Sequence, residues 1–219
     1  MASFTTHLNV SAFVSGVGAT LVAYNNLSTK EDSLIYFFAG IIGGILPDID
    51  HDKSTPLKII QFFFSNLIAF LVIYKFIGKF PILNLALMWA GAYFLTSVFF
   101  YFFKRLTTHR GVIHSIPAAL FFWFLISLLS YKVWGLEVVK SYLIGFFVFI
   151  GYITHLVLDE IYSVDLTGKK IKKSFGSAFK FCAKDKASNL LLITMLFLVF
   201  VFLPQKEKLF SLIKGLIHV

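Results

Sequence analysis

The sequence is short of charge and of cysteine, and each shortage removes a class of protein from consideration. Only 14% of its 219 residues are charged, whereas a soluble globular domain carries about 25%. The single cysteine, Cys182, allows neither an intrachain disulfide nor a metal site built from several thiolates. No serine or cysteine constellation typical of a covalent nucleophile is evident. The chain therefore offers little polar surface to water and little covalent chemistry of its own.

Apolar residues are present in a large excess instead. They make up 58% of the chain, and 18% of all residues are aromatic. A domain of this size still exposes much of its surface, so the excess cannot be hidden in a core. The predicted fold class is all-α: a polytopic transmembrane helical bundle with interfacial amphipathic helices. We predict about seven apolar segments and leave open whether the second and third cross fully: 8–24, 33–46, 57–74, 82–103, 116–131, 141–158 and 189–203.

The predicted domain organisation is a single membrane-embedded domain over 1–219 with two polar additions. Residues 162–187 carry seven lysines with phenylalanines between them, which fits either a basic interfacial loop or a solvated one. Residues 205–219 have helical apolar spacing and predict an amphipathic C-terminal tail. The net charge is +9, but the basic residues flank apolar segments. We therefore expect membrane lipids as partners and no nucleic acid.

Counting crossings predicts the orientation. With seven crossings, the N-terminus and the connections after the second, fourth and sixth segments share one side. That side holds twelve of the 20 basic residues, so the positive-inside tendency predicts that it is cytoplasmic. We expect a multi-pass protein of the cell membrane whose first segment stays as an anchor.

Histidines and carboxylates gather on that same side. Five of the six histidines and five of the 11 carboxylates fall in four clusters, at residues 6–7, 46–52, 109–115 and 155–160. Ionisable residues at membrane depth are costly unless they are paired, so function is their default interpretation. A metal centre is a physical reason to collect them.

The spacing within the clusters suits cation ligands. His155 and Asp159 lie four residues apart, on one helix face. The pair His109 and His114 can converge only if Gly111 interrupts the helix between them. We predict these metal ligands, with Asp52 in reserve: His7, Asp48, Asp50, His51, His109, His114, His155 and Asp159.

Mixed imidazole and carboxylate ligation suits zinc best, with manganese or iron as alternatives. The number of candidate ligands allows one or two ions, and such ions activate water for the hydrolysis of phosphoesters. The predicted function is an integral membrane metal-dependent hydrolase, acting on a phospholipid or another phosphoester. We assign catalytic roles to Asp50, Arg110 and Asp159, with the guanidinium of Arg110 holding the phosphate.

Two other functions stay open at this point. Intramembrane histidines and carboxylates also mark divalent metal-ion transporters. Such transporters often carry repeated halves, and no internal repeat is visible. The second alternative is a membrane protein in which a metal only ties helices together, and a closed coordination shell would mark that case.

The motifs together resemble the YdjM-like family of inner-membrane metal-dependent hydrolases. The matching elements, in the family's order, are Thr6-His7, the run from Gly44 to His51, the run from His109 to Ser115, and the run from Gly151 to Asp159. The resemblance implies a helical membrane protein with a metal site, distantly similar to zinc-dependent phospholipase C and S1/P1 nuclease folds. After Asp159 the sequence departs from the Gly-Val-rich loop that is frequent in the family.

Overall fold

The computed structural model describes residues 2–50, 55–106, 112–165, 170–171 and 185–217. The chain divides into two compact units, one formed by Met1–Pro47 with Gly111–Val219 and the other by Asp48–Arg110. The second unit contains the helices α3 and α4, and the first contains the rest. In chain order the elements are α1 (Phe4–Tyr24), α2 (Lys30–Ile45), a 3₁₀ turn (Leu46–Asp50), α3 (Thr55–Phe76), α4 (Ile82–Leu106), α5 (Ile116–Lys132), α6 (Val138–Ile161), β1 (Val164–Asp165), β2 (Lys170–Ile171), α7 (Lys186–Val201) and α8 (Lys206–Ile217).

The all-helical prediction is confirmed, since each of the seven apolar segments coincides with one of α1 to α7. The pair of two-residue strands, with Val164 opposite Ile171, was not predicted. Within the described residues, only α1 and α6 are long and apolar enough to cross a membrane, and α7 with α8 adds a third span if the pair, bent by 100°, counts as one. Apolarity and length thus support two or three crossings, and the predicted seven stay a prediction.

Local sequence signals set the helix ends around the polar clusters. Helix α2 stops at Ile45, before Pro47, as expected for a residue that cannot continue a helix. Helix α5 begins after Ser115, whose side-chain oxygen accepts a hydrogen bond from the backbone N–H of Ala118 at 3.4 Å. The hydroxyl of Ser115 in turn donates to the carbonyl of Val112. Ser115 is therefore the N-cap of α5.

Small residues let α1 and α2 pack closely. Ser11 and Ser15 on α1 are fully buried, and they face Gly44 and Gly40 on α2. A Cβ atom added at either glycine would lie only 2.0 Å from the facing serine Oγ. Any larger residue there would force the helices apart, as at the small-residue interfaces of membrane proteins.

Helix α6 approaches α2 even more closely, through backbone alone. A Cβ atom added at Gly151 would lie 1.9 Å from the carbonyl oxygen of Gly40. One added at Gly43 would lie 2.1 Å from the carbonyl oxygen of Val148. This contact fixes the end of α6 against the end of α2, which is where the polar residues lie.

Large apolar side chains cover much of the outer surface. Helix α7 contains no buried residue, and its Leu190 and Phe197 are 68% and 64% exposed. Phe13 on α1 is 72% exposed. Exposed apolar surface on this scale indicates an apolar environment, such as lipid, around the helices.

The two polar additions are described only in part. Helix α8 lies inside the predicted tail, and it buries Leu209 and Leu212 while Lys208 and Lys214 are exposed. Of the predicted basic loop at 162–187, residues 166–169 and 172–184 lie outside the described residues. The interfacial position of both segments stays a prediction.

Candidate metal centre

The C-terminal end of α6 places His155 and Asp159 one turn apart, as their spacing predicts. Both are buried, with 0% and 6% of their surface exposed. His155 Nε2 lies 3.8 Å from Asp159 Oδ2. Helix periodicity explains this arrangement, because residues four apart lie above one another on one face.

A backbone carbonyl of α2 orients His155. Its Nδ1 lies 2.8 Å from the carbonyl oxygen of Gly44. A carbonyl can only accept, so Nδ1 carries the proton and the lone pair of the ring is on Nε2, the atom that faces Asp159. Histidines that ligate metals are usually held in this way through their second nitrogen.

Helix α1 contributes His7, which is also buried. Its Nε2 lies 3.3 Å from Asp159 Oδ1. Its ring stacks on that of His155, with the centroids 3.7 Å apart and an interplanar angle of 12°. The backbone N–H of Ala2 donates to the same Oδ1 at 3.3 Å. The start of α1 therefore places two groups against the carboxylate of Asp159: the ring of His7 and the backbone N–H of Ala2.

The residue just before the N-cap of α5 brings a third imidazole. His114 is 3% exposed, and its Nε2 lies 3.9 Å from Asp159 Oδ2. Its ring meets that of His155 at 65°, with 5.7 Å between the centroids. Three rings from three segments of the chain thus converge on one buried carboxylate.

The donor set fits a divalent cation. Single ligand atoms of His7, His155 and Asp159 all lie within 4.8 Å of one another. Around tetrahedral zinc, with Zn–N distances of about 2.0–2.1 Å, neighbouring ligand atoms lie about 3.3 Å apart. The distances of 3.3, 3.8 and 3.9 Å from ring nitrogens to Asp159 therefore need only small side-chain adjustments. His7, His155 and Asp159 could share one ion, and His114 lies 3.9 Å from the same carboxylate.

The other predicted site residues belong to other parts of the chain. Asp48 and Asp50 lie in the 3₁₀ turn after α2, and both belong to the second compact unit. His51, Asp52, His109 and Arg110 lie outside the described residues. Their roles as ligands or catalytic groups stay predictions.

Two backbone groups were missed by the sequence reasoning: the carbonyl of Gly44 and the N–H of Ala2. A signal for the first was present. Pro47 ends α2, and the last four carbonyls of a helix have no partner within it, so Gly44 was a candidate acceptor. No sequence signal points to Ala2.

Comparison with known proteins gives one match. The family model described as YdjM inner membrane protein matches residues 1–206, which confirms the resemblance carried by the four polar clusters. No curated protein matches the chain, and no solved structure does.

Proposed function

The chain belongs to the YdjM inner membrane protein family, and we propose that it is a multi-pass hydrolase that uses one or two divalent metal ions, zinc in the first place, to cleave phosphoesters. The family name itself speaks only of the membrane. The hydrolase proposal is supported by the chemistry of the buried polar group at the end of α6.

One observation carries this proposal: three imidazoles surround a single buried carboxylate. Asp159 is 6% exposed, and ring nitrogens of His7, His114 and His155 lie within 3.9 Å of its oxygens. A carboxylate removed from water costs several kcal/mol unless a cation compensates it. Lone pairs from three rings and one carboxylate are the ligands that zinc prefers.

The chain's own residues would divide the work as follows. A divalent cation held by these residues would supply a water of lowered pKa and a positive charge for a phosphoryl oxygen. Gly44 fixes the tautomer of His155 through its carbonyl, and Ala2 holds one oxygen of Asp159 in place. Asp48 and Asp50 follow Gly44 closely in the chain, and we propose them as further ligands, with His51 and His109 as ligands of a second ion. Arg110 would hold the phosphate in a bidentate fork.

The orientation belongs to the same proposal. Seven crossings would place the N-terminus, the start of α5 and the end of α6 on one side. The excess of basic residues on that side favours the cytoplasm. The shorter apolar helices would cross as well as the two long ones. Small residues already pack one of them, α2, against α1 and α6.

A structural metal is the second candidate, and the burial of the cluster favours it. Exposed fractions of 0–6% for the four residues fit a closed coordination shell, whereas catalysis needs a position open to water. Transport is less well supported. Ser11 and Ser15 follow His7 along α1 and contact α2 closely. A Cβ atom added at Gly44 or Gly40 would lie 2.0 Å from the hydroxyl oxygen of the facing serine. The interface between α1 and α2 therefore has no room for an ion.

The test compares purified wild type with Asp159→Ala, His114→Ala and, as the matched control, Asp32→Ala, which removes a carboxylate at the other end of the same unit. Hydrolysis of bis(p-nitrophenyl) phosphate and of phospholipids is followed with Zn²⁺ or Mn²⁺. We expect turnover in wild type and the control, and its loss in the other two variants.

Other outcomes separate the candidates. Metal bound at stoichiometric level without turnover on any phosphoester would favour the structural metal. Turnover that survives Asp159→Ala would contradict the proposed site. Absence of metal and of turnover in wild type would exclude both proposals.

A further inference from the structure

An apolar groove with a volume of about 360 Å³ runs along the seam between α1 and α6. Thr154 is the one polar residue among the described residues that line it, and its hydroxyl already donates to the carbonyl of Ile150 at 2.9 Å. The groove thus offers a ligand no free hydrogen-bond donor. Its principal walls are Val10 and Val14 on α1 and Ile150, Ile153, Val157 and Leu158 on α6.

The groove lies beside the metal-ligand cluster, at the same end of both helices. On α6 the wall residue Leu158 directly precedes Asp159, and successive helical residues are rotated by about 100°. On α1 the wall residue Val10 follows His7 by three positions, which places the two on neighbouring parts of one face. Groove and cluster therefore occupy adjoining faces of the same two helices.

The walls belong to the two helices that are long and apolar enough to cross a membrane. In a bilayer, the open side of this groove meets lipid chains, while the cluster lies at the end of the span, where headgroups are found. A lipid that places its chain in the groove would have its phosphate at the same end of α1 and α6 as the cluster, without leaving the membrane.

We propose that the groove holds one acyl chain of a membrane lipid whose phosphoester is the substrate. The nature of the reacting group rests on the proposed function, whereas chain binding itself does not. The apolar lining of the groove, and its place on the two helices that are long and apolar enough to cross a membrane, favour a lipid chain as the occupant.

The test uses the full chain in phosphatidylglycerol vesicles that contain a trace of phosphatidylglycerol with a photoreactive diazirine on one acyl chain. Crosslinked peptides are identified by mass spectrometry. Ile153→Trp and, independently, Val157→Phe fill the groove without touching the cluster. Leu190→Trp adds the same bulk to the exposed face of α7 and is the control.

We expect crosslinks to the groove peptides of α1 and α6 to exceed those to α7 by about tenfold, a preference worth about 1.4 kcal/mol. Both groove variants should lose this excess, and Leu190→Trp should keep it. Equal labelling of all apolar surfaces, or labelling that survives both groove variants, would each overturn the proposal.

Two readouts keep this result separate from the hydrolase proposal. Metal content and turnover of bis(p-nitrophenyl) phosphate, which has no acyl chain, should be unchanged in the groove variants. Specific labelling without any turnover would leave lipid binding standing and reject the hydrolase. Turnover without specific labelling would leave the hydrolase standing and reject lipid binding in the groove.

Discussion

Helix α6 carries polar contacts at both of its ends, and the two ends compensate buried charge in different ways. Near its start, Lys140 binds Asp32 of α2, and these side chains keep 25% and 19% of their surface exposed. Near its end, Asp159 is almost fully buried among three imidazoles. The two ends are about 28 Å apart along the helix axis, close to the thickness of a bilayer's hydrocarbon core, about 30 Å.

The difference separates a structural contact from a candidate functional one. At the first end, one cation meets one anion within reach of water, which is a complete arrangement of modest energy. At the second end, ring nitrogens outnumber the carboxylate and water is largely excluded. An arrangement of this kind is expensive unless a cation completes it, and that is why we place the metal there.

Removal of the carboxylate at each end should give the largest contrast. Asp159→Ala should reduce the metal content of the purified protein to background, because it removes the group that all three imidazoles face. Asp32→Ala should leave the metal content unchanged. Inductively coupled plasma mass spectrometry measures both, and equal metal in the two variants would break the comparison.

The cluster end depends on backbone contact, so its glycines should be sensitive. Gly151→Ala places a Cβ atom 1.9 Å from a carbonyl oxygen of α2 and should lower the free energy of unfolding by about 3 kcal/mol. Gly91→Ala on α4, where a Cβ would meet nothing within 4 Å, should be neutral or stabilising by up to about 1 kcal/mol.

Equilibrium unfolding in mixed detergent micelles compares the two glycine variants with wild type. A stable Gly151→Ala protein would show that the close approach of α6 to α2 is not needed. The metal content of that variant reports whether the cluster survives a displaced helix.

Acid should weaken metal binding at the cluster. Imidazole binds a metal ion only when it is neutral, so protons compete with the ion for the histidines. Metal affinity should therefore fall by at least about tenfold between about pH 7 and pH 5. A competition titration with a zinc indicator measures the affinity, and a flat profile would argue against histidine ligands.

The smallest effect is expected at the pair near the start of α6. A double-mutant cycle with Lys140→Met and Asp32→Asn should give a coupling energy of about 0.5–1 kcal/mol, because both side chains are partly exposed. Thermal unfolding of the four proteins supplies the cycle. A coupling energy of several kcal/mol would mean that the pair of Lys140 and Asp32 is also shielded from water. The two ends of α6 would then not differ in the way described above.

The helices could be predicted from sequence because long apolar runs have few alternatives in this composition. The number of crossings could not. Helices α2 and α5 have 16 and 17 residues, fewer than the about 20 that a span needs. Whether such helices cross depends on how their neighbours cover them. Glycines such as Gly40 show that coverage here is tight, but a sequence alone does not state which helix lies opposite.

The candidate site was predictable to the extent that it rests on helical spacing. The interval between His155 and Asp159 predicts a pair, and the structure has that pair. His7 was assigned only because it shares a side of the membrane with that pair, and His114 because of its cluster with His109. Their convergence on Asp159 needed the packing of α1 and α5 around α6. The carbonyl of Gly44 contacts His155 through the backbone. Every residue has such a carbonyl, so residue type alone does not identify this contact.

The most direct measurement is X-ray absorption at the zinc edge of the purified, zinc-loaded chain. The account predicts a first shell of nitrogen and oxygen at about 2.0–2.1 Å, with the outer-shell scattering of imidazole rings. His7→Ala should reduce that imidazole contribution. A sulfur shell near 2.3 Å, which would point to Cys182, or a shell without imidazole would contradict the central claim that the histidines around Asp159 hold the ion.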